Sequence, residues 1–434
     1  MNSSQVLIIG AGACGLIAAR ELLRKGKSVT ILEARSFSGG RIRTITDDTF
    51  PKPIDSGAEF IHGELPVTLS LLKEYKISFQ PVEGIFWQTQ TDSVKKKNNF
   101  IEAHHRELEK QLEALKHDIT VDSFLDLKFA GEEYEELRSS VKGFVSGYDA
   151  ADTSRASTFA FRDEWLNDDN EKQYRIPEGY GKMIDGITEE CIKLGCNFHF
   201  SKLISRIEWK RNSVSAFTID GKEFTGSKLI ITIPVGVLNG QKEQVKFFPE
   251  LELKQHALKK LGYGGVVKIC MLFNNAFWKN ERTINTVHHD LTKLGFVFSD
   301  AEIPTWWTHH PDETPLLTGW IGGKPAEKLA ANGKEIIKEI AICSLAAIFI
   351  LTYHDVESQL LSYRIFDWVN DPFSQGAYCY EVVDGTKLKE IMRQPEEDTL
   401  FFAGEGYHLG KNAGTVEAAF SEGFRVVRDI EKNG

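Results

Sequence analysis

The chain has 434 residues, 41% of them hydrophobic and 26% charged, with a formal net charge of −10. This length calls for more than one core, and this composition for a folded, water-facing chain, which excludes a disordered or fibrous protein. The acidity speaks against nucleic acid and suits a cationic ligand; six scattered cysteines without C-x-x-C, and adjacent histidine pairs (His104–His105, His309–His310) without i, i+4 spacing, predict neither a disulfide framework nor a metal.

The first element is VLIIGAGACG, residues 6–15. Its β-branched start predicts a buried parallel strand. Gly10, Gly12 and Gly15 then fit G-x-G-x-x-G: a tight turn, a close backbone approach to pyrophosphate, and close packing of the following helix. That helix is expected over about residues 14–25, stopping near Gly26. The second strand, SVTILEA, ends at Glu33, where a ribose hydroxyl acceptor is expected and a 2′-phosphate is disfavoured. The next stretch, ARSFSGGRIRT, adds Gly39, Gly40 and Arg41, whose amides and guanidinium suit the same pyrophosphate. Taken alone, a glycine pair of this kind also suits a surface loop.

Together these segments resemble the flavin-containing amine oxidases, the family of monoamine oxidases, polyamine oxidases and lysine-specific histone demethylases. The resemblance implies FAD, held by Gly10, Gly12, Gly15, Glu33, Ala34, Arg35, Gly39, Gly40 and Arg41. It covers nearly the whole chain, is densest at both ends and is weak over about residues 64–174.

DSGAEFIHG, residues 55–63, resembles the G-A-x-W-I-H-G of polyamine oxidases, with Phe60 in place of Trp. It implies that Gly57, Ala58, Glu59 and Phe60 approach the cofactor and that His62 meets the substrate amine; a structural histidine at a loop end is the plainer reading of the residue itself. The region beyond is charged and mostly helical, with an amphipathic helix in residues 101–117 and an exposed turn at KKKNN, residues 95–99. YRIPEGYGKMIDGI (174–187) and LTGWIGGKPAEKLA (317–330) shape a domain seam and carry no catalytic assignment. From Asn197 the pattern changes to short strands with turns at DGK and TGS. The resemblance assigns adenine to the backbone of Ile204.

Lys268 lies inside an apolar strand pattern, GYGGVVKICMLF. A buried ammonium needs a partner; strand alternation could instead send it to solvent. The resemblance implies that it holds a water against flavin N5. The apolar run over 341–351 is too short to span a membrane and predicts a buried helix. In FDWVNDPFSQGAYCY, residues 366–380, Trp368 and Tyr378 resemble aromatic positions around the flavin, with Tyr378 as one wall of an amine cage. Ala377 stands where monoamine oxidases carry the cysteine of a covalent flavin link, so FAD is expected to be non-covalent; Cys379 is displaced by two residues. In LFFAGEGYHLGKNAGTVEAAFSEG, residues 400–423, a buried strand ends at Gly404–Glu405 and Gly414 precedes a helix from about Thr415. That helix N-terminus would oppose charge on reduced flavin, with Val416 facing the ring, Glu405 near the ribityl or phosphate region, and Thr415 as the second, ringless cage wall.

The fold expected is α/β: a Rossmann-type FAD domain (1–65, 182–258, 366–434) interleaved with an α+β substrate domain of mixed sheet and helices (66–181, 259–365). The activity expected is FAD-dependent oxidation of a small cationic amine, a polyamine by preference, with dioxygen as acceptor and Lys268, His62, Tyr378 and Thr415 at the reacting centre. A monoamine or L-amino-acid oxidase, or a non-catalytic FAD-binding protein, are the alternatives. With a strand starting near Val6 and the chain stopping just after its last helix, a cytoplasmic protein without membrane attachment is expected; oligomeric state is unreadable.

Overall fold

The computed structural model describes residues 3–90, 93–97, 100–166, 172–240 and 245–432. The buried β-branched run Ser3–Ile9 lies between Val29–Leu32 and Glu223–Ile231, parallel to both. Asn197–His199 extends the sheet on one side, and Leu400–Phe402 pairs with Glu223–Ile231 in parallel. Ser213–Thr218 and Ile204–Lys210 continue it antiparallel, and Lys246–Phe248 completes eight strands. The helices Ala13–Arg24, Gly181–Lys193 and Val416–Lys432 share a core with one face of this sheet, through Leu16, Ile17, Met183, Ile187, Phe420 and Val427.

A second sheet runs Leu360–Asp367, Val266–Phe273, Leu316–Gly322, Thr305–Trp307, Leu294–Ser299, Ile85–Gln90, Ser93–Lys96. It is mixed, because Ile85–Gln90 runs parallel to Leu294–Ser299 while the other pairings are antiparallel. The run at 341–351 belongs to the helix Lys334–Phe349, whose Ile342, Leu345 and Phe349 pack with Val267, Ile269 and Met271. The helix ends where Ile350 turns left-handed, at φ 53°. A further helical layer, which includes Val121–Lys128, Glu135–Gly147 and Thr158–Trp165, builds its own core around Phe124, Val141 and Phe161.

Three sequence expectations are corrected. KKKNN is not an exposed turn as a whole: Lys95 and Lys96 pair with Gln88 and Trp87 in a hairpin, Lys97 reaches the central cavity, and Asn98–Asn99 lie outside the described residues. TGS is no turn either. Gly226 pairs with Ser4 and Val214 inside the strand Glu223–Ile231, where neighbours on both sides hold the chain extended. The amphipathic helix of 101–117 forms only as His105–Glu113, burying Leu108 and Leu112. Among the described residues no helix is long and apolar enough to cross a membrane.

Candidate active site

A cavity of about 1880 Å³ runs from the first sheet's glycine turn to the second sheet. Ordinary small-ligand pockets reach about 1,000 Å³, so there is room for a dinucleotide and a substrate together. At one end the glycine turn is sterically required. Gly10 has φ +106°, and a Cβ there would lie 2.5 Å from the Thr232 hydroxyl; a Cβ on Gly15 would lie 2.1 Å from the Gly10 carbonyl. Gly12 stands at the N-terminus of Ala13–Arg24, whose first amides are free for an anion. The second glycine cluster meets the first: Gly39 N–H donates to the Ala11 carbonyl at 2.8 Å and Gly39 bridges to Gly12. Gly40 and Ala34 line the cavity beside them.

Glu33 accepts from the amides of Ala11 (2.7 Å) and Arg35 (2.8 Å) at the cavity wall. Arg35 is held by Asp371 at 3.1 and 2.5 Å, with its guanidinium carbon 6.0 Å from the centroid of the Trp368 ring. Ile204 lines the same end through the first sheet. Arg41 donates to Glu405 at 2.8 Å and to the Ala377 carbonyl at 2.5 Å, which ties the second glycine cluster to the last strand. The donor set, the glycine cradle and the acidic residue at the strand end fit an FAD.

At the other end, strand alternation sends Val267, Ile269 and Met271 into the helix-covered core, and Lys268 to the opposite face. That face is not solvent: the segment carrying Gly57–Phe60 covers it, and Lys268 is 1% exposed. Its ammonium donates to Glu59 Oε2 at 2.7 Å and to the Gly57 carbonyl at 3.2 Å. Glu59 Oε1 accepts from the Trp307 indole at 3.0 Å and lies 2.9 Å from Arg175 Nη2 and 3.7 Å from His309. Burial raises the Glu59 carboxyl, but Lys268 and then Arg175 more than reverse this and hold it far below the usual carboxylate range. Lys268, Glu59, Gly57, Ala58, Phe60, Trp307, Trp320 and Trp368 all line the cavity.

His62 is neutral, its pKa pushed down to about 4 by burial, and its Nδ1 has no partner among the described residues. Its ring stands edge-on to Tyr148 at 5.4 Å. The Tyr378 hydroxyl donates to the Tyr148 carbonyl at 2.6 Å, so His62 and Tyr378, both expected at the amine, meet through a tyrosine that the sequence had not pointed to. Thr415 also lines the cavity. Its hydroxyl donates to Asn412 O at 2.6 Å and accepts from Ala418 N–H at 3.2 Å, the bonding of a helix cap. Gly404, Gly414 and Val416 line the cavity, Val416 as first residue of the last helix. Trp368 donates its indole N–H to the Ser56 carbonyl at 2.9 Å.

Two acids were not foreseen. Asp149 and Glu164 line the cavity next to Tyr148 and bond to one another. Burial raises both, and the Asp149 charge raises Glu164 further, so the pair retains a proton to neutral pH. Glu132, Glu136 and Asp163 add to the acidic lining. Among the described residues no group of three or more His, Cys, Asp or Glu could hold a metal.

Comparison with known proteins agrees with this geometry. The family described as flavin containing amine oxidoreductase matches residues 13–431. The chain is 25% identical to polyamine oxidase 4 of Oryza sativa subsp. japonica, over 98% of this chain and 88% of that protein. It is 25% identical to lysine-specific histone demethylase 1 homolog 3 of Arabidopsis thaliana, over 100% of this chain but 30% of that much longer protein. Wild-type putrescine oxidase bound to putrescine superposes with a TM-score of 0.79 at 17% identity, over 99% of both chains. Cyclohexylamine oxidase from Brevibacterium oxydans gives 0.80 at 18%, again over 99% of both.

Proposed function

The chain belongs to the flavin containing amine oxidoreductases, and from that premise we propose that it oxidises a polyamine-type substrate at the carbon next to nitrogen, with dioxygen as the final acceptor. FAD, when bound, accepts the two electrons and the hydrogen that leave the amine carbon. The product imine takes up water and splits into a carbonyl compound and an amine, and two electrons with two protons reduce dioxygen to hydrogen peroxide. In this reading the FAD domain covers 1–65, 182–258 and 366–434 and the substrate domain 66–181 and 259–365; the two large sheets divide accordingly except at Phe366 and Asp367, which end the second sheet's strand Leu360–Asp367.

In this reading neutral His62 and the Tyr378 ring orient the reacting nitrogen, and the burial that pushes the imidazole pKa down to about 4 disfavours the ammonium form of an amine in the same place. Lys268 supplies fixed positive charge at the cavity wall where negative charge develops. Thr415 holds the helix N-terminus in place through its cap bonds and, in this reading, also forms the second, ringless wall of the cage.

The observation that carries the polyamine preference is the Asp149–Glu164 pair on the cavity wall. A second ammonium entering there would displace the shared proton and face a carboxylate in a site with little water. Replacing both acids (Asp149→Asn with Glu164→Gln) is expected to lower kcat/KM for spermine about tenfold, equivalent to ~1.4 kcal/mol, and to leave benzylamine within twofold. Equal losses for both amines, or a wild-type preference for benzylamine, would defeat the polyamine reading and leave the family assignment standing.

The flavin is non-covalent. Ala377 offers no thiol, and burial first, then the Glu405 charge, pushes the Cys379 thiol far above its usual range, which removes its nucleophilicity. Acid precipitation is expected to give a colourless pellet and a yellow supernatant; a yellow pellet that survives washing contradicts this.

A further inference from the structure

Glu59 divides its two oxygens between different tasks. Oε2 takes the Lys268 ammonium at 2.7 Å, while Oε1 takes the Trp307 indole and faces Arg175 Nη2 at 2.9 Å. His309, at 3.7 Å, adds no charge there, since burial and then Arg175 push it down to about 3.

Arg175 is the unexplained member of this group. It is 6% exposed, and its Nε and Nη2 have no aligned hydrogen bond among the described residues. It faces the Phe60 ring at 4.9 Å. The register delivers it: Gln173–Arg175 pairs antiparallel with Phe60–His62, and Arg175 stands opposite Phe60, next to Glu59 in the chain. Among the described residues the cavity wall includes Glu59 and Phe60 but not Arg175, so the guanidinium stands behind the wall. A buried guanidinium with poorly used N–H groups acts mainly as a charge, and that charge falls on one oxygen of the carboxylate whose other oxygen holds Lys268.

We propose that Arg175 is a positioning residue: together with Trp307 it occupies Glu59 Oε1, and thereby fixes Oε2 on Lys268 and the ammonium at its place on the cavity wall. The proposal rests on the reading of Lys268 as the positive charge beside the flavin. With Arg175 removed, Glu59 can turn, Lys268 moves with it, and the charge no longer sits where electrons leave for dioxygen.

The test is a double-mutant cycle on the FAD-loaded protein with two readouts: the rate constant for reduced enzyme with dioxygen, and the visible spectrum of oxidised FAD, which reports charge beside the ring. Arg175→Gln is expected to slow reoxidation about tenfold and shift the spectrum in the same sense as Lys268→Met. Arg175→Lys, which keeps the charge, should stay within twofold of wild type. In the Lys268→Met background, Arg175→Gln should change neither readout, because a residue that acts through Lys268 has nothing left to act on. Equal losses in both backgrounds, or no loss in either, overturn the proposal. If Lys268→Met itself moves neither readout, the reading of Lys268 fails, and the role of Arg175 falls with it. Trp307→Phe, which removes the other donor to Oε1, serves as the second variant should Arg175→Gln fail to load FAD; it too must be silent in the Lys268→Met background, and an effect there overturns the proposal.

Discussion

Glu59→Leu is expected to destabilise the folded protein by about 3–5 kcal/mol, the usual cost of leaving buried charges without their counter-ion. The carboxylate lies between Lys268 and Arg175, which are 1% and 6% exposed, and the indole of Trp307 donates to it as well. Leucine fits the space but supplies no acceptor, so two cations and an N–H lose their partner together. Glu178 gives the comparison: it faces Lys182 at 3.5 Å, but both side chains are more than half exposed, so Glu178→Leu should stay within about 0.5 kcal/mol. Urea unfolding of the two variants at neutral pH separates the cases. The pH dependence has a definite sign. The Glu59 carboxyl is held below its ordinary value in the folded protein, so its contribution is complete above pH ~4.3 and is lost as pH falls through the folded value. The gap between wild type and Glu59→Leu should therefore be constant near neutrality and narrow only in strong acid. A loss below about 1 kcal/mol at pH 7 would mean that water reaches the group and that Lys268 is not enclosed as described.

What could be read in the sequence divides along physical lines. The glycine cradle was legible because its constraint is local: Gly10 needs a left-handed φ and Gly15 has no room for a Cβ, and each requirement leaves its mark at the residue itself. Lys268 was legible as a cation in an apolar strand, but its partner was not, since Glu59 lies 209 residues away and only the fold brings them together. A usable signal existed: a lysine that must be buried needs a carboxylate, and Glu59 is the charged residue enclosed in GAEFI. Arg175 gave less, because an arginine in a three-residue strand looks like an edge position, and the pairing with Phe60–His62 decides otherwise. Thr415 carried a second signal beside the one the family resemblance gave. A threonine just before an amphipathic helix reads as an N-cap, and its hydroxyl bonds as one. Asp149 and Glu164 are fifteen positions apart in the region where the resemblance is weakest, with no periodicity to link them.

Lys268→Met is expected to slow the reaction of reduced enzyme with dioxygen by about 10²–10³-fold, the range typical for removing one preorganised electrostatic group from a site of developing charge. Methionine follows the lysine stem in length, so the strand Val266–Phe273 keeps its packing. Glu59 does not become an orphan, since Arg175 and Trp307 still hold Oε1. The variant should therefore fold and take up FAD, which distinguishes it from Glu59→Leu. The amine half-reaction should suffer less than the oxygen half-reaction. His62 and Tyr378, which face the reacting nitrogen in this reading, both contact Tyr148, and no hydrogen bond among the described residues joins either to Lys268. Transfer of electrons to dioxygen, in contrast, builds negative charge on a small molecule that brings no counter-ion, and in this reading the Lys268 ammonium on the cavity wall is the fixed charge that meets it. Stopped-flow mixing of photoreduced protein with dioxygen isolates this step from substrate binding. Anaerobic bleaching with spermine measures the other half, where a change of less than about tenfold is expected. An oxygen rate constant equal to wild type would place the site of oxygen reduction away from Lys268, and a loss confined to bleaching would assign the ammonium to the amine instead.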